Sequence, residues 1–464
     1  VSAPLIWIVF PMAAGLLFWL FRQRVGLVTL LSTILCLLLA LLALLLPVDQ
    51  RVVIGPLRFT VGPTLDFVGR RLVLDNGDKV FLAFFYIICA FWFAGSYAAR
   101  ASVLIIPLGL GIASLLIAAL AVEPFLYAAL LVEMAVLLSV PLLVEPGKPV
   151  GRGVLRFLIF QTLAMPFILL AGWALGGVEA NPSNQTLVTL ATVFLGLGFA
   201  FWLAVFPFYT WIPMLTEESS PYVSVFLILV LQTVNLLLGL RFLENFGWLR
   251  SMPGLFPVLS QIGTLMIVTA GLWAVFQKDL ARLVGYGVIV ETGFSILAVS
   301  LASQVGRQLF TSMFLPRVIG FGLWALSLAI LLRDSRSARF EHVEGLLQQM
   351  PFATAGLAVA SLSLGGLPLL AEFPIRHVVL EGVSRQSLLN GLWALAGSMG
   401  ILFSAFRGLA VLSRGRLFPQ VYSETRLQIG LLLAGMVCLI VIGIFPQAFS
   451  SLLTGLISVG STFP

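Results

Sequence analysis

A few ionisable side chains stand where they are expensive, inside long apolar runs. Glu133 interrupts Ala-Ala-Leu-Leu-Val132, and Glu291 follows Gly287-Val-Ile-Val290. Arg317 sits between Phe314-Leu-Pro316 and Val318-Ile319, and Glu372, Arg376 and His377 share one apolar stretch. An ionisable group in hydrocarbon is costly enough that each is a candidate for handling protons or charge. A carboxyl group can load and release a proton. Histidine titrates near neutral pH, and arginine stays protonated and acts as a fixed positive charge. Glu372 and Arg376 are four residues apart and can pair along one helix face. Glu291 and Arg317 admit two readings: relay groups, or a structural ion pair between neighbouring helices whose disruption costs several kcal/mol. Glu133 is either a relay or charge-coupling carboxylate or one that only packs, paired or protonated. His377 is either a proton exit group or a headgroup-level residue near the end of a span. Glu217 and Glu218 are expected near the membrane surface and solvated.

Lysine is conspicuous by its positions. The chain has Lys79, Lys148 and Lys278 and no other lysine, and all three fall at the ends of apolar runs or in loops. Lysine is the residue whose pKa drops readily on burial, which makes it a workable intramembrane relay. No register places one in the middle of a span.

The elements that carry these residues follow from composition. Of 464 residues, 60% are hydrophobic and 10% charged, against about 25% charged in soluble domains. A mean hydropathy of +1.10 leaves no room for a large water-soluble domain. Spanning segments must satisfy their own backbone, as helices or a closed barrel. A barrel needs alternating runs of about 10 residues, whereas these runs are continuous and about 18–24 residues long, as helices require. They lie near 5–21, 25–47, 79–98, 103–121, 124–144, 153–175, 187–212, 222–242, 254–276, 283–302, 308–332, 351–382, 388–412 and 427–445. The expectation is an all-α integral membrane protein of about fourteen transmembrane helices. The first run is read as a retained span, since Arg22 and Arg24 follow it and no basic segment precedes it. Between the second and third runs, residues 49–78 show strand-like alternation and the turn Asp75-Asn-Gly77, which predicts a small surface β-hairpin.

The net charge of +7 fits the excess of Lys and Arg in cytoplasmic loops rather than a nucleic-acid partner. Arg22, Arg24, Arg100, Lys148, Arg152, Arg156, Lys278, Arg282, Arg333, Arg336, Arg339, Arg407, Arg414, Arg416 and Arg426 fall on one side if both termini lie outside the cytoplasm. Cys36, Cys89 and Cys438 lie inside apolar runs without metal-ligand spacing and read as packing residues. No cofactor or metal motif is present, so a redox enzyme acting alone is excluded.

Two runs are interrupted, one at Phe206-Pro207-Phe-Tyr-Thr-Trp-Ile-Pro213 and one at Gly365-Gly366-Leu-Pro368. Proline and paired glycines free carbonyls in mid-span. The breaks fall in spans 7 and 12, as two related five-helix bundles would place them, and matching broken helices point to a transport pathway. The alternative is a pair of packing kinks. The resulting division is residues 1–98 (three helices with the hairpin), 103–242 (spans 4–8), 254–412 (spans 9–13) and 427–464 (last helix and tail).

Phe199-Ala-Phe-Trp-Leu-Ala-Val-Phe-Pro-Phe-Tyr-Thr-Trp-Ile-Pro213 resembles the span-7 signature G-F-A-x-K-x-x-x-F-P-F-H-x-W-L-P. That signature belongs to the antiporter-like membrane subunits of respiratory complex I, shared with Mrp-type antiporters and membrane-bound hydrogenases. Val132-Glu-Met134 resembles the family's span-5 motif, and Gln277-Lys-Asp-Leu-Ala-Arg-Leu-Val-Gly-Tyr286 its Q-x-D-L-K-R-L-x-A-Y motif. The stretch from Gly365 to Phe373 resembles its span-12 break, G-x-P-P-x-x-G-F. Together these cover about residues 65–410. The resemblance implies two inverted five-helix repeats, a midplane chain of ionisable residues, and assembly beside similar subunits in a redox-driven proton pump; the loop charges point to a bacterial-type inner membrane. It also implies that Glu133 matches the family's span-5 glutamate. The span-7 lysine is replaced by Trp202 and the span-8 lysine by Gln232 or a neighbour. Glu291 stands where the family often has histidine, Arg317 near a common lysine, and Arg376 at a lysine or glutamate position. The function implied is proton translocation or its coupling, with conduction through the lysine-free interior in question. The alternatives are a non-conducting structural subunit of the same complex and a stand-alone cation/proton antiporter or ion-coupled uptake component. Expected partners are other membrane subunits and lipid.

Overall fold

The computed structural model describes residues 2–448 apart from 55–56, 68, 145–146, 148, 181–183, 253, 303, 334–336 and 416–422. Lys148, Arg336, Arg416 and the tail from 449 onward therefore lie outside the described residues. The chain opens with a π-helical turn, Leu5–Val9, that runs straight into α1 (Phe10–Leu20), followed by α2 (Val25–Leu45) and α3 (Lys79–Ala98). Then come α4 (Ile105–Ala121), α5 (Ala128–Leu143), α6 (Arg152–Ala180), α7 (Gln185–Trp202), α8 (Trp211–Glu218) and α9 (Pro221–Asn245). A short α10 (Gly247–Arg250) precedes α11 (Leu255–Phe276), α12 (Leu280–Ser300), α13 (Gln304–Ser312) and α14 (Phe314–Leu331). After a short α15 (Phe340–Val343) the chain forms α16 (Pro351–Leu364), α17 (Phe373–Gln386), α18 (Leu388–Leu412) and α19 (Arg426–Ile444). Among the described residues, 10 helices are long and apolar enough to cross a membrane. Shorter apolar helices at Leu5–Leu20, Ile105–Ala121, Ala128–Leu143 and Pro351–Leu364 accompany them.

The bundle has an inside and an outside. α9, α12 and α14 are enclosed by other helices, whereas α2, α7 and α19 turn apolar faces outward. Those outward rows, such as Leu30, Leu37, Leu41 and Leu45 on α2, suit lipid, which is as apolar as leucine itself. Inside, α12 packs against α8, α9, α11, α14 and α17. Near Gly271 and Gly397 the backbones of α11 and α18 approach so closely that a Cβ on either glycine would collide with the other helix. Small residues allow that approach.

The segment between α2 and α3 is more elaborate than one hairpin. β1 (Arg51–Ile54) pairs antiparallel with β2 (Leu57–Thr60), and β3 (Thr64–Phe67) pairs with β4 (Arg70–Val73). β4 also takes β5 (Val122–Glu123) from the end of α4. Asp75-Asn-Gly77 is not a hairpin turn. The Asp75 carboxylate accepts from the Gly77 N–H at 2.6 Å, and the Asp78 carboxylate accepts from the Asp75 N–H at 3.1 Å. Together they form a capping box on the 3-10 turn Asn76–Asp78 that leads into α3. Asp and Asn bond nearby backbone equally well in turns and at helix N-termini, so the dipeptide alone did not discriminate.

Both expected helix breaks are present and share one backbone device. At the end of α7 the Val205 N–H donates to the Ala200 carbonyl at 2.9 Å and the Ala204 N–H to that of Phe201 at 3.2 Å. At the end of α16 the Leu367 N–H donates to the Leu362 carbonyl at 3.0 Å and the Gly366 N–H to that of Ser363 at 2.9 Å. This is the Schellman pattern, which needs one residue in the left-handed region. Gly366 fills that place with φ +82°, and Ala204 does so with φ +50°. A third interruption, between α13 and α14 at Met313, was not expected from the sequence; Pro316 lies three residues beyond it.

Candidate functional site

The second break holds a cluster of four charged residues. α12 contributes Glu291, α14 Arg317, α17 Arg376, and the irregular segment before α17 Glu372. All four are buried, and Glu372 is 0% exposed. The Glu291 carboxylate is shared. One oxygen accepts from Arg376 Nη2, and the other accepts from Arg317 Nε and Nη2, each at 3.3 Å. Arg317 Nη2 also donates to the Glu291 carbonyl at 3.2 Å and to Ser295 Oγ. Arg376 Nε lies 3.9 Å from Glu372 Oε2. The Arg376 guanidinium stacks over the Phe294 ring at 4.5 Å. The two pairs read from the sequence, Glu291 with Arg317 and Glu372 with Arg376, both exist, and Arg376 joins them into one network.

The cluster is incompletely satisfied. Both Glu372 oxygens, together with Arg376 Nε and Nη1, are buried without a hydrogen-bond partner among the described residues. Elsewhere on these helices, Ser327 and the Trp324 indole N–H on α14 and Ser363 and Thr354 on α16 are likewise buried and unpartnered among the described residues. The charge arithmetic is uneven. Glu291 opposes two fixed guanidinium charges, and the cluster is neutral only when Glu372 is ionised.

The first break is built from neutral groups. Trp202 ends α7, is 1% exposed, and packs edge-on to Phe199 with ring centroids 5.6 Å apart. The helix break frees its carbonyl, and three amide side chains converge there: Gln161 Nε2 at 3.4 Å, Gln232 Nε2 at 3.1 Å and Asn235 Nδ2 at 3.4 Å. Gln161 and Asn235 were not singled out from the sequence. An amide in an apolar run carries no charge to draw attention, although Gln232 and Asn235 stand three apart on one helix face.

Glu133 and His377 join neither cluster. Glu133 Oε1 accepts from Thr162 Oγ1 on α6 at 2.8 Å, and Oε2 is buried without a partner. It lies beside Leu130, Met134 and Leu137, which are exposed on the outward side of α5. His377 is exposed, its ring stacked on Phe373 at 5.8 Å.

Glu217 and Glu218 are not merely solvated. Glu217 Oε2 accepts from Arg282 Nε at 2.6 Å, and Glu218 Oε2 accepts from the Gly153 N–H at 2.5 Å near the start of α6. Helix N-termini leave N–H groups open, and a nearby carboxylate takes them. Asp279 caps α12 in the same manner, accepting from Ala281 and Arg282 N–H groups at 2.9 and 3.1 Å. Burial holds its carboxyl above the usual carboxylate range. Cys36 and Cys89 are buried as packing residues, whereas Cys438 is exposed. Among the described residues no group of three His, Cys, Asp or Glu side chains could hold a metal.

Residues 154–404 match the sequence family described as NADH:quinone oxidoreductase/Mrp antiporter, TM. Among curated relatives, the NADH-quinone oxidoreductase subunit N of Psychrobacter arcticus is 26% identical over 238 residues, covering 50% of this chain and 48% of the relative. The subunit N of Desulfitobacterium hafniense is 28% identical over 301 residues, covering 60% and 59%. The chain thus spans about half the length of the curated relatives it matches. Solved structures agree over nearly the full length. A chain of the Mrp complex from Dietzia sp. superposes with a TM-score of 0.82 at 14% identity, covering 98% of this chain and 97% of that one. A chain of the archaeal membrane-bound sulfane sulfur reductase gives 0.81 at 19% identity, with 99% and 98% covered. A chain of respiratory complex I from Thermus thermophilus gives 0.75 at 21% identity, with 98% of each covered. At these identities the likeness establishes the fold: a multi-pass, antiporter-like membrane bundle.

Proposed function

Because this chain belongs to the NADH:quinone oxidoreductase/Mrp antiporter transmembrane family, we propose that it is an antiporter-like membrane subunit of a redox-driven proton pump, with its proton handling confined to the second helix break. The 10 long helices and the shorter apolar ones are read as fourteen crossings, with α7–α8, α13–α14 and α16–α17 each forming one interrupted span. Residues 103–242 and 254–412 form two inverted five-helix repeats. They are preceded by the unit 1–98 and followed by 427–464, and both termini lie on the non-cytoplasmic side of a bacterial-type inner membrane. The interruptions between α7 and α8 and between α16 and α17, five spans apart, support the repeat, and the basic residues of one set of loops support the orientation. Similar membrane subunits and lipid surround it, and any redox cofactor resides in other chains.

The observation that carries this reading is the buried Glu291–Arg317–Arg376–Glu372 cluster at the α16–α17 break. The two arginines and Glu291 leave a net positive charge. Glu372 is the one member with no strong hydrogen bond to hold its proton state. It stands where the span-12 motif has glycine, so this chain places a titratable group at the break itself. Proton loading of Glu372 takes the cluster from neutral to positive, and the excess charge repels protons or counter-ions in a neighbouring subunit. Such charge alternation is a coupling device that needs no lysine.

The test has two arms. Purification from native membranes should recover this chain with other hydrophobic subunits and a peripheral redox module, identified by mass spectrometry. Isolation as a lone stable monomer would count against the assembly. In proteoliposomes of that complex, Glu372→Gln keeps the shape and removes the titration. Pumping should fall by about tenfold or more, a loss of about 1.4 kcal/mol of coupling or beyond, while electron transfer persists. A second reading, a non-conducting spacer, is favoured by the lysine-free first break. Pumping unaffected by Glu372→Gln selects it.

A further inference from the structure

The α1–α2 turn and the α3–α4 loop meet at one end of the bundle and bring three arginines to one corner. Arg22 and Arg24 lie in the turn, and Arg100 follows the end of α3. A shallow notch between the two connections is lined by residues that include Arg22, Val25, Ser96, Ala101 and Ser102. The start of α2 lies against the end of α3, since a Cβ on Gly26 would stand 3.9 Å from the Tyr97 ring. Arginines at helix ends are ordinary in a membrane protein. Arg282, Arg307 and Arg414 each face a carboxylate, of Glu217, Glu244 and Glu344 respectively. At this corner the arginines face none. Among the described residues Arg24 and Arg100 have no hydrogen-bond or carboxylate partner, and Arg22 donates only to the Trp19 carbonyl, at 3.1 Å. The stretches that build the corner, residues 1–48 and 80–122, contain no Asp or Glu. α19 reaches the end of α3 through Gln428, which donates to the Ala98 carbonyl at 2.9 Å. The carboxylate just before α19, Glu424, is taken up by the Phe352 and Ala353 N–H groups.

Next to these charges the surface is apolar and faces outward. Trp19, Leu20, Phe21, Leu27 and Tyr97 are all exposed, and the Arg22 guanidinium lies over the Trp19 ring at 4.4 Å. Aromatic rings beside basic residues at a helix end mark the headgroup level of a bilayer. α2 also starts without a side-chain cap, so the open N–H groups of its first turn add to the positive potential. The two halves of the corner select its occupant. Guanidinium groups take phosphate through paired N–H donors. A soluble phosphate compound leaves the exposed leucines and rings uncovered, whereas a phospholipid covers both halves. A zwitterionic headgroup brings its own cation to a place with no carboxylate to receive it, so the headgroup must carry net negative charge. Basic pockets between transmembrane helices hold such headgroups. We infer that Arg22, Arg24 and Arg100 form a binding site for an anionic phospholipid, with its phosphate among the three guanidiniums and its acyl chains along Leu20, Leu27 and Tyr97. The notch has a volume of about 10 Å³, room for one phosphate oxygen or one water, so the headgroup lies across it rather than inside. The site requires only that these helices span a membrane, not that the chain pumps protons.

The experiment purifies the chain from native membranes with the subunits that accompany it and places it in phosphatidylcholine nanodiscs, with or without phosphatidylglycerol. Retained lipid is counted by native mass spectrometry, and thermal unfolding is followed in parallel. The expected result is a melting temperature higher with phosphatidylglycerol, and one retained phosphatidylglycerol that disappears in the triple variant Arg22→Gln, Arg24→Gln, Arg100→Gln. Each single variant should weaken retention by about fivefold. Arg100→Gln leaves the turn charges in place and carries the test alone if the triple variant fails to insert. Arg414→Gln, which removes a paired arginine at another helix end, should leave retention unchanged. Equal retention in the wild type and the glutamine variants overturns the site. So does an equal loss in Arg414→Gln, which reduces the effect to general surface charge. Displacement of the lipid by inorganic phosphate overturns it as well, since the corner is then a site for a free anion. None of these readouts depends on the pumping measured with Glu372→Gln, so the two proposals fail separately.

Discussion

The two helix breaks have the same backbone and opposite chemistry. α7 and α16 both end in a Schellman pair with one left-handed residue, Ala204 or Gly366. Around the first, the groups that meet are a tryptophan carbonyl and three amides. Around the second, they are two arginines and two glutamates. The contrast extends to the far ends of these half-helices. Asn184 accepts from Thr186 and Leu187 N–H groups to start α7, whereas the Glu424 carboxylate accepts from Phe352 and Ala353 N–H groups to start α16. One scaffold has thus been filled once with neutral dipoles and once with charges. The backbone that opens a membrane helix does not dictate what the opening does.

The sharpest way to break this comparison is to remove one buried polar partner from each cluster. Glu291→Leu strands two buried guanidinium groups and should destabilise the protein by about 3–5 kcal/mol. Gln232→Leu removes one of three donors and should cost about 1 kcal/mol. Chemical unfolding of the solubilised protein measures both, and equal costs would erase the distinction between the breaks.

A smaller effect tests the shared backbone. Gly366→Ala puts a Cβ at φ +82°, 3.4 Å from Arg376 Cδ, and should lose about 1 kcal/mol. Ala204→Gly relieves a left-handed alanine and should gain about 0.5 kcal/mol, since added freedom in the unfolded chain offsets part of the relief. If both shifts had the same sign, the two endings would not be equivalent.

The smallest effect concerns pH. Burial raises the Glu424 carboxyl above its ordinary value, against the two backbone N–H groups that lower it. For a carboxyl raised on folding, the stabilisation is full below the unfolded value and is lost as pH climbs through the folded one. Glu424→Gln should flatten that fall, which begins near the ordinary carboxylate value, in a pH series of melting temperatures, and Asn184→Ser, one neutral cap for another, should leave it unchanged.

Most of the fold was legible because hydrocarbon is an unforgiving solvent. Run length and composition mark the helices, and Pro207, Gly365, Gly366 and Pro368 mark the two breaks. The members of the charged cluster were visible one by one, since each interrupts an apolar run. Their joining was not, because the Glu291–Arg376 contact spans 85 residues of sequence and depends on how α12 and α17 pack. Ala204 gave no sign, since alanine normally avoids the conformation it adopts. The amide cluster was half seen. Gln232 stood out only because the resemblance places a lysine there, and Gln161 and Asn235 had no such pointer. The capping role of Asp75 was misread as a hairpin turn because both uses rest on the same local hydrogen bond.

The uneven charge of the second cluster has an electrical consequence. Moving one elementary charge across a membrane is worth about 2.3 kcal/mol per 100 mV. Under the proposed function, a proton that loads Glu372 from one side at mid-depth crosses about half of that field, or about 1.2 kcal/mol per 100 mV. Its occupancy therefore shifts by nearly one order of magnitude as the membrane energises. On that proposal the cluster reads voltage as well as pH, and the back-pressure of the proton gradient governs how readily the site reloads.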